Sequence, residues 1–206
     1  MDRTKYLSLE EVKHLRTVSE ALALRDLEHG RTKSIVRWML VDMALGTGLR
    51  GCELRRIKVA DLDLKRGILA VQRGKKKRAR VESLNLGPDL VKHLRDYLDW
   101  RRLADIESEY LFTSVRGPLS ICGIRAMWKT ALVHAGLTKV NELGQTVAAY
   151  SIHCARHTVG THLLKKTHNL RQVQKQLGHE DPAITAKFYA DVSDDDMRAG
   201  MDNLYG

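Results

Sequence analysis

Gly67-Ile-Leu-Ala-Val-Gln-Arg-Gly-Lys-Lys-Lys-Arg-Ala-Arg-Val-Glu-Ser-Leu-Asn-Leu86 is the stretch from which the fold is read. Residues 67–72 and 80–86 are rich in Ile, Leu and Val and predict two β-strands joined as a hairpin. Between them lie Arg73, Lys75, Lys76, Lys77, Arg78 and Arg80, with no acid among them. Cations packed this closely repel one another unless a polyanion sits nearby. The whole chain carries 35 Lys and Arg against 25 Asp and Glu, a formal +10. These six residues therefore supply over half of the excess. A nucleic acid is the first partner such a balance suggests, and an anionic membrane surface the second.

On both sides of the hairpin the pattern turns helical. Upstream, Ser8-Leu9-Glu10-Glu11 reads as a capping box. The helix after it presents Val12, Leu15, Val18, Leu22 and Leu24 on one face and ends near Gly30. A second, more apolar helix runs from about Ser34 to Leu45. A turn bracketed by Gly46 and Gly48 carries Arg50, and a short helix follows over Cys52 to Ile57. Asp61 and Asp63 read as a helix-to-strand turn. Downstream, Pro88 opens a helix to about Arg102 with Leu90, Leu94, Tyr97 and Leu98 inward. Tyr110 to Thr113 is extended, Leu119 to Ala135 is helical with Gly136 as its stop, and Asn141 to Ala148 is a loop. Helices follow over Ser151 to Lys166 and Leu170 to Leu177, ended by Gly178. Pro182 opens a last helix, and an acidic then amphipathic tail runs from Val192 to Gly206. The expected fold is mainly α with a small antiparallel sheet, one domain over residues 1–206.

Composition excludes several classes. No apolar run reaches the ~18 residues of a membrane span. The first residues are polar, with no signal-peptide core. Cys52, Cys122 and Cys154 form no Cys-x-x-Cys pair, which fits reduced thiols in a cytoplasmic protein. No Gly-x-x-x-x-Gly-Lys-Ser/Thr signals nucleotide use. His153, His157 and His162 share one expected helix beside Cys154. A zinc site needs about four ligands, however, and no second metal motif accompanies them. No cofactor and no metal are expected.

Six polar side chains can instead do phosphate chemistry. Arg50 follows a glycine-rich turn; Arg156 lies one helical turn after His153. Guanidinium stays charged and forks onto phosphate oxygens. Each arginine also has an ordinary reading as a surface residue. A lysine in the hairpin can protonate a leaving oxygen; the residues alone do not choose among Lys75, Lys76 and Lys77. His153 and His179 can exchange protons near neutrality. Tyr189 can be a nucleophile if nearby charge helps it ionise, since a free phenol has a pKa of ~10. Tyr6, Tyr97 and Tyr110 read as packing residues; Tyr150 and Tyr205 are lesser candidates.

In this order and spacing the fragments resemble the catalytic domain of the tyrosine recombinases, or phage integrases. Thr47-Gly-Leu-Arg-Gly-Cys-Glu-Leu54 is similar to the family's first-arginine motif, Gly74-Lys75 to its hairpin lysine, and His153-Cys-Ala-Arg156 to its His-x-x-Arg box. Leu177-Gly-His179 is similar to the second-histidine motif, with Tyr189 ten residues on at the nucleophile position. The resemblance implies that Arg50 and Arg156 bind the scissile phosphate, Glu53 supports Arg50's surroundings, and Lys75 is the acid. Arg73, Lys76, Lys77, Arg78 and Arg80 would contact the DNA backbone. It implies site-specific cleavage and rejoining of double-stranded DNA through a 3′-phosphotyrosyl link, as in integration, excision, inversion or resolution. The alternatives are topoisomerase-like religation of the original strand and a non-catalytic DNA-binding relative. It also implies a homotetramer on paired DNA sites, a monomer being open without DNA, with residues 192–206 packing on a neighbour. The family's N-terminal DNA-clamping domain has no counterpart in the reading of residues 1–206.

Overall fold

The structure, a computed structural model, describes residues 6–73, 80–114 and 117–178. Helix α1 (Leu9–Glu28) starts on the expected capping box: Ser8 Oγ accepts from the Glu11 amide at 3.1 Å, and Glu11 Oε2 from the Ser8 amide at 2.7 Å. Its buried positions are Leu15, Ser19, Ala23 and Asp26, with Val12 and Val18 packed beside them. Leu24 is exposed. It lies nine residues beyond Leu15, about 180° around a helix of ~100° per residue, so it cannot share that face.

Helix α2 (Lys33–Thr47) is the central element, buried along most of its length. It packs against α1, α4 (Pro88–Leu103), α5 (Ile121–His134) and α6 (Ile152–Thr167). Two charges interrupt its apolar sequence, and the inward one, Asp42, is neutralised in place. Asp42 is 1% exposed, accepts from Arg16 Nε at 2.5 Å, and lies 2.7 Å from His93 Nδ1. Helix α3 (Gly51–Leu54) follows a three-residue link.

The hairpin forms as expected. Strands β2 (Ile68–Arg73) and β3 (Arg80–Asn85) pair antiparallel, from Ile68 opposite Asn85 to Arg73 opposite Arg80. A short β1 (Leu62–Asp63), beyond the expected turn, adds to the free side of β2, giving the order β1-β2-β3. Two further hairpins join β4 (Thr113–Ser114) to β5 (Gly117–Pro118) and β6 (Thr138–Val140) to β7 (Thr146–Ala148). The β6–β7 pair replaces the loop expected over Asn141 to Ala148. Its turn is built by Asn141, whose Oδ1 accepts from the Leu143 and Gln145 amides. This Asx-type turn closes strands too short to show a period of two.

One continuous apolar core joins α1 to α5, the three-stranded sheet and the start of α6. Trp128, Tyr97 and Phe112 are its largest fully buried side chains. Helix α7 (Leu170–Leu177) stands outside it. Its Val173 and Leu177 pack with Val159, Leu163, Leu164 and Leu170 in a separate small cluster. Mostly helical with small antiparallel sheets, the architecture is the expected one.

Candidate active site

The first-arginine segment is fixed by its glycines and by one carboxylate. Gly48 caps α2 with φ +70°, a conformation costly for any residue with a side chain. A Cβ there would lie 2.7 Å from Leu177 and 3.2 Å from Val159, so α6 and α7 close directly onto this backbone. Two residues on, Arg50 opens α3. Glu53, 6% exposed, accepts from the Arg50 amide at 2.8 Å and from Arg50 Nη1 at 2.9 Å. The carboxylate thus holds both ends of Arg50, whose side chain remains 40% exposed.

The second segment opens α6. His153 lies in its first turn on the solvent side, while Arg156, one turn later, is 2% exposed. Burial of so strong a cation requires partners. Arg156 Nη1 donates to the Gly48 carbonyl at 3.0 Å and Nη2 to the Leu177 carbonyl at 2.5 Å. These oxygens stand at the C-terminal ends of α2 and α7, where unpaired carbonyls and the helix dipole both favour a cation. Arg156 therefore ties two helix ends together at the foot of the Arg50 segment. Partial desolvation at the helix start, then the charges of Arg156 and Arg50, hold the His153 imidazole below the ordinary histidine range. The bond from Arg156 to the Gly48 carbonyl, two residues before Arg50, and the single turn between His153 and Arg156 bring the three residues to one corner.

The end of α7 closes the corner from the other side. Gln176 Nε2 donates to the Thr47 carbonyl at 3.2 Å, and the Gln176 carbonyl accepts from Arg73 Nη2 at 2.7 Å. Arg73, expected on the DNA-facing surface, is instead 4% exposed. The inward positions of β2 are Leu69, Val71 and Arg73, so the strand's own alternation carries Arg73 inside. Arg80 does face solvent, with Nε 2.7 Å from Glu82. Lys75, Lys76, Lys77, Arg78, His179 and Tyr189 lie outside the described residues, as do Tyr205 and the tail.

Tyr150, a lesser candidate for the nucleophile, is removed by its surroundings. Its hydroxyl donates to Glu11 Oε1 at 2.8 Å, and burial followed by that bond pushes its pKa up to about 12. Tyr97 is likewise buried in the core, with its hydroxyl on the Leu111 carbonyl. The His153 and His157 rings meet edge to face at 4.6 Å. Among the described residues no group of three or more His, Cys, Asp or Glu is arranged to hold a metal. Sequence reasoning missed Gln176 and the inward Arg73. Extending the period of two in β2 by one residue would have found the latter.

Comparison with known proteins identifies the family and the fold. The chain is 31% identical over 163 residues to tyrosine recombinase XerD of Staphylococcus saprophyticus, covering 77% of this chain and 51% of that one. It is 30% identical over 202 residues to tyrosine recombinase XerA of Thermococcus kodakarensis, covering 96% and 62%. It thus spans about half to three-fifths of the length of these relatives. A crystal structure of XerA recombinase superposes with a TM-score of 0.73 at 26% identity, covering 98% of this chain and 65% of that one. The family model described as phage integrase matches residues 5–196, a span that takes in Arg50, Lys75, His153, Arg156, His179 and Tyr189. The chain belongs to the phage integrase family.

Proposed function

We propose that this chain cuts and rejoins double-stranded DNA at specific sites through a 3′-phosphotyrosyl intermediate. The observation that carries this reading is the corner formed by Arg50, His153 and Arg156. Arg156 binds the carbonyl of Gly48, two residues before Arg50, and His153 lies one turn before Arg156 on α6. Such a corner is built to receive an anion. A phosphate placed there would offset the mutual repulsion of its three cationic or protonatable groups. Fixed donors of this kind act most strongly on the charge that develops in a pentavalent transition state.

In the proposed step the Tyr189 oxygen attacks phosphorus, the P–O5′ bond breaks, and the DNA 3′ end becomes esterified to tyrosine. Lys75 supplies the proton that leaves with the 5′ hydroxyl. His153 and His179 hydrogen-bond the phosphate oxygens and take up the tyrosine proton. Attack by a 5′ hydroxyl, from the same or a partner duplex, reverses these transfers. Arg50, exposed on one side, meets the phosphate first; Arg156 stands behind it and fixes the backbone on which Arg50 sits. The basic hairpin, with Lys76, Lys77, Arg78 and Arg80, lies along the DNA backbone, where affinity should fall steeply with salt.

Residues 1–206 act as one catalytic domain in this reading. Four copies act on paired sites, with residues 192–206 as the contact between them. The setting is the cytoplasm, on DNA; none of the described helices is long and apolar enough to cross a membrane. The reading is tested with nicked suicide duplexes randomised across the cleavage window, from which covalent protein–DNA adducts are captured and sequenced. An adduct on Tyr189 that persists in EDTA and vanishes in Tyr189→Phe is expected. DNA binding without any adduct, or an adduct that requires metal, would overturn it.

A further inference from the structure

Arg73 occupies a position where an apolar side chain would serve the core better. It follows Leu69 and Val71 on the inward face of β2, and it is 4% exposed. Of its nitrogens, Nη2 has the Gln176 carbonyl at 2.7 Å. Nε and Nη1 are buried without a hydrogen bond, although Nε lies 3.4 Å from a Glu82 oxygen. Burial depresses its pKa, and the neighbouring charges are Glu53 and Glu82 on one side, Arg50 and Arg80 on the other. A buried, half-satisfied guanidinium is a poor stabilising device. Its retention needs another reason.

The reason lies in what the side chain joins. Gly178, at the end of α7, has φ +63°, and a Cβ there would fall 1.4 Å from Arg73 Nη1 and 2.4 Å from its Cζ. The guanidinium therefore lies directly on the Gly178 backbone. Along the chain, Arg73 is two residues before Lys75, and Gly178 is one residue before His179. We propose that Arg73 is a positioning residue that clasps the stem of the hairpin to the end of α7, fixing the distance between the two points after which Lys75 and His179 follow in sequence. Arg156 binds the adjacent Leu177 carbonyl and Gln176 binds Thr47, so the clasp joins the sheet to the corner already built around Arg50. The proposal rests on the strand-cleavage reading for its effect on rate, and on geometry alone for the clasp.

Two measurements separate these. Arg73→Met keeps bulk and removes the fork. On DNA with an ordinary scissile phosphate, cleavage should fall about tenfold or more, within the contribution of a well-placed general acid. On DNA whose bridging 5′ oxygen is replaced by sulfur, cleavage should return to within about threefold of the parent chain, because a thiolate leaves without a proton. The thermal midpoint should stay unchanged or rise. Arg73→Gln, which keeps one donor for the Gln176 carbonyl, should fall between the two. Unchanged cleavage, or equal loss on both substrates, would overturn the positioning role. Lys75→Met, run alongside, should show the same rescue; its failure to do so would count against lysine as the acid. The clasp is read independently by hydrogen exchange. Arg73→Met should speed exchange of the amides of residues 176–178 at least about tenfold, and Arg102→Met, on the surface of α4, should not. Unaltered exchange there would remove the clasp whatever the cleavage assays show.

Discussion

The two helix ends that meet at the site are held by different forces. The C-terminal end of α2 grows out of the main core, where Met39, Leu40, Val41, Met43 and Ala44 are fully enclosed. The C-terminal end of α7 rests on a small cluster around Val173 and Leu177, and on bonds from Arg73, Arg156 and Gln176. Apolar burial is non-directional and tolerant of small shifts. A guanidinium on a carbonyl is directional and fails once its partner moves. The site thus has one side set by packing and another set by polar bonds. The polar side is the one from which His179 and Tyr189 follow in sequence.

Arg156 spans both sides, so its loss should have the largest effect. Arg156→Ala removes a proposed phosphate ligand and frees two buried carbonyls. Single-turnover cleavage should fall ~10³-fold or more, with about 1–3 kcal/mol of stability lost with the bonds. Arg31→Ala, on the exposed turn after α1, should change neither. Equal losses in the two variants would end the contrast between clamp and surface arginine.

Next in size is a pair of truncations. Trp128→Ala empties a fully buried site in the main core and loses the bond from its Nε1 to the Tyr150 carbonyl, at a cost of about 3–5 kcal/mol in urea unfolding. Leu177→Ala should cost about 2 kcal/mol or less globally, while strongly increasing amide exchange within α7. If Leu177→Ala matched Trp128→Ala in global cost, α7 would belong to the same cooperative unit and the comparison would collapse.

Gly48→Ala sharpens the packing side. It forces a side chain into a left-handed position against Leu177 and Val159. A loss of about 1–2 kcal/mol is expected from the backbone alone, with further loss from the clash. Cleavage should fall as well, because the Arg50 segment starts there. Normal stability would show that α6 and α7 yield freely.

The smallest effect is one of pH. The pKa of His153 in the folded chain lies below its ordinary value of 6.5. As pH falls through about 6.5 the unfolded chain takes up the proton first, so stability declines from there down to the folded pKa and then levels off. Solvent screens this exposed ring, so the decline should be slight. The clearer readout is the imidazole titration followed by NMR, with a midpoint below 6.5 in the free chain that moves upward when DNA binds. A midpoint unmoved by DNA would place His153 away from the phosphate.

Much of the packing side was legible in the sequence. The capping box at Ser8, the apolar run of α2, the strands around the basic stretch and the Gly178 stop all follow from local rules. The polar side was not. Arg156 looked like a residue that could equally face solvent, because its partners lie 108 and 21 residues away. Arg73 was grouped with the cations after it, since a run of like charge hides a strand's last inward position. The β6–β7 hairpin was missed because three-residue strands have no measurable period, and β1 because Asp61 and Asp63 resemble a plain turn.

The central claim is that Arg50, His153 and Arg156 form a corner for the scissile phosphate's charge. It is tested most directly by the cleavage rate on DNA whose scissile phosphate is replaced by an uncharged methylphosphonate. On ordinary DNA Arg50→Ala should lose roughly 10²–10³-fold in rate. On the methylphosphonate the same variant should come within about tenfold of the parent chain, because the charge that Arg50 opposes is gone. A deficit of the same size on both substrates would contradict the account.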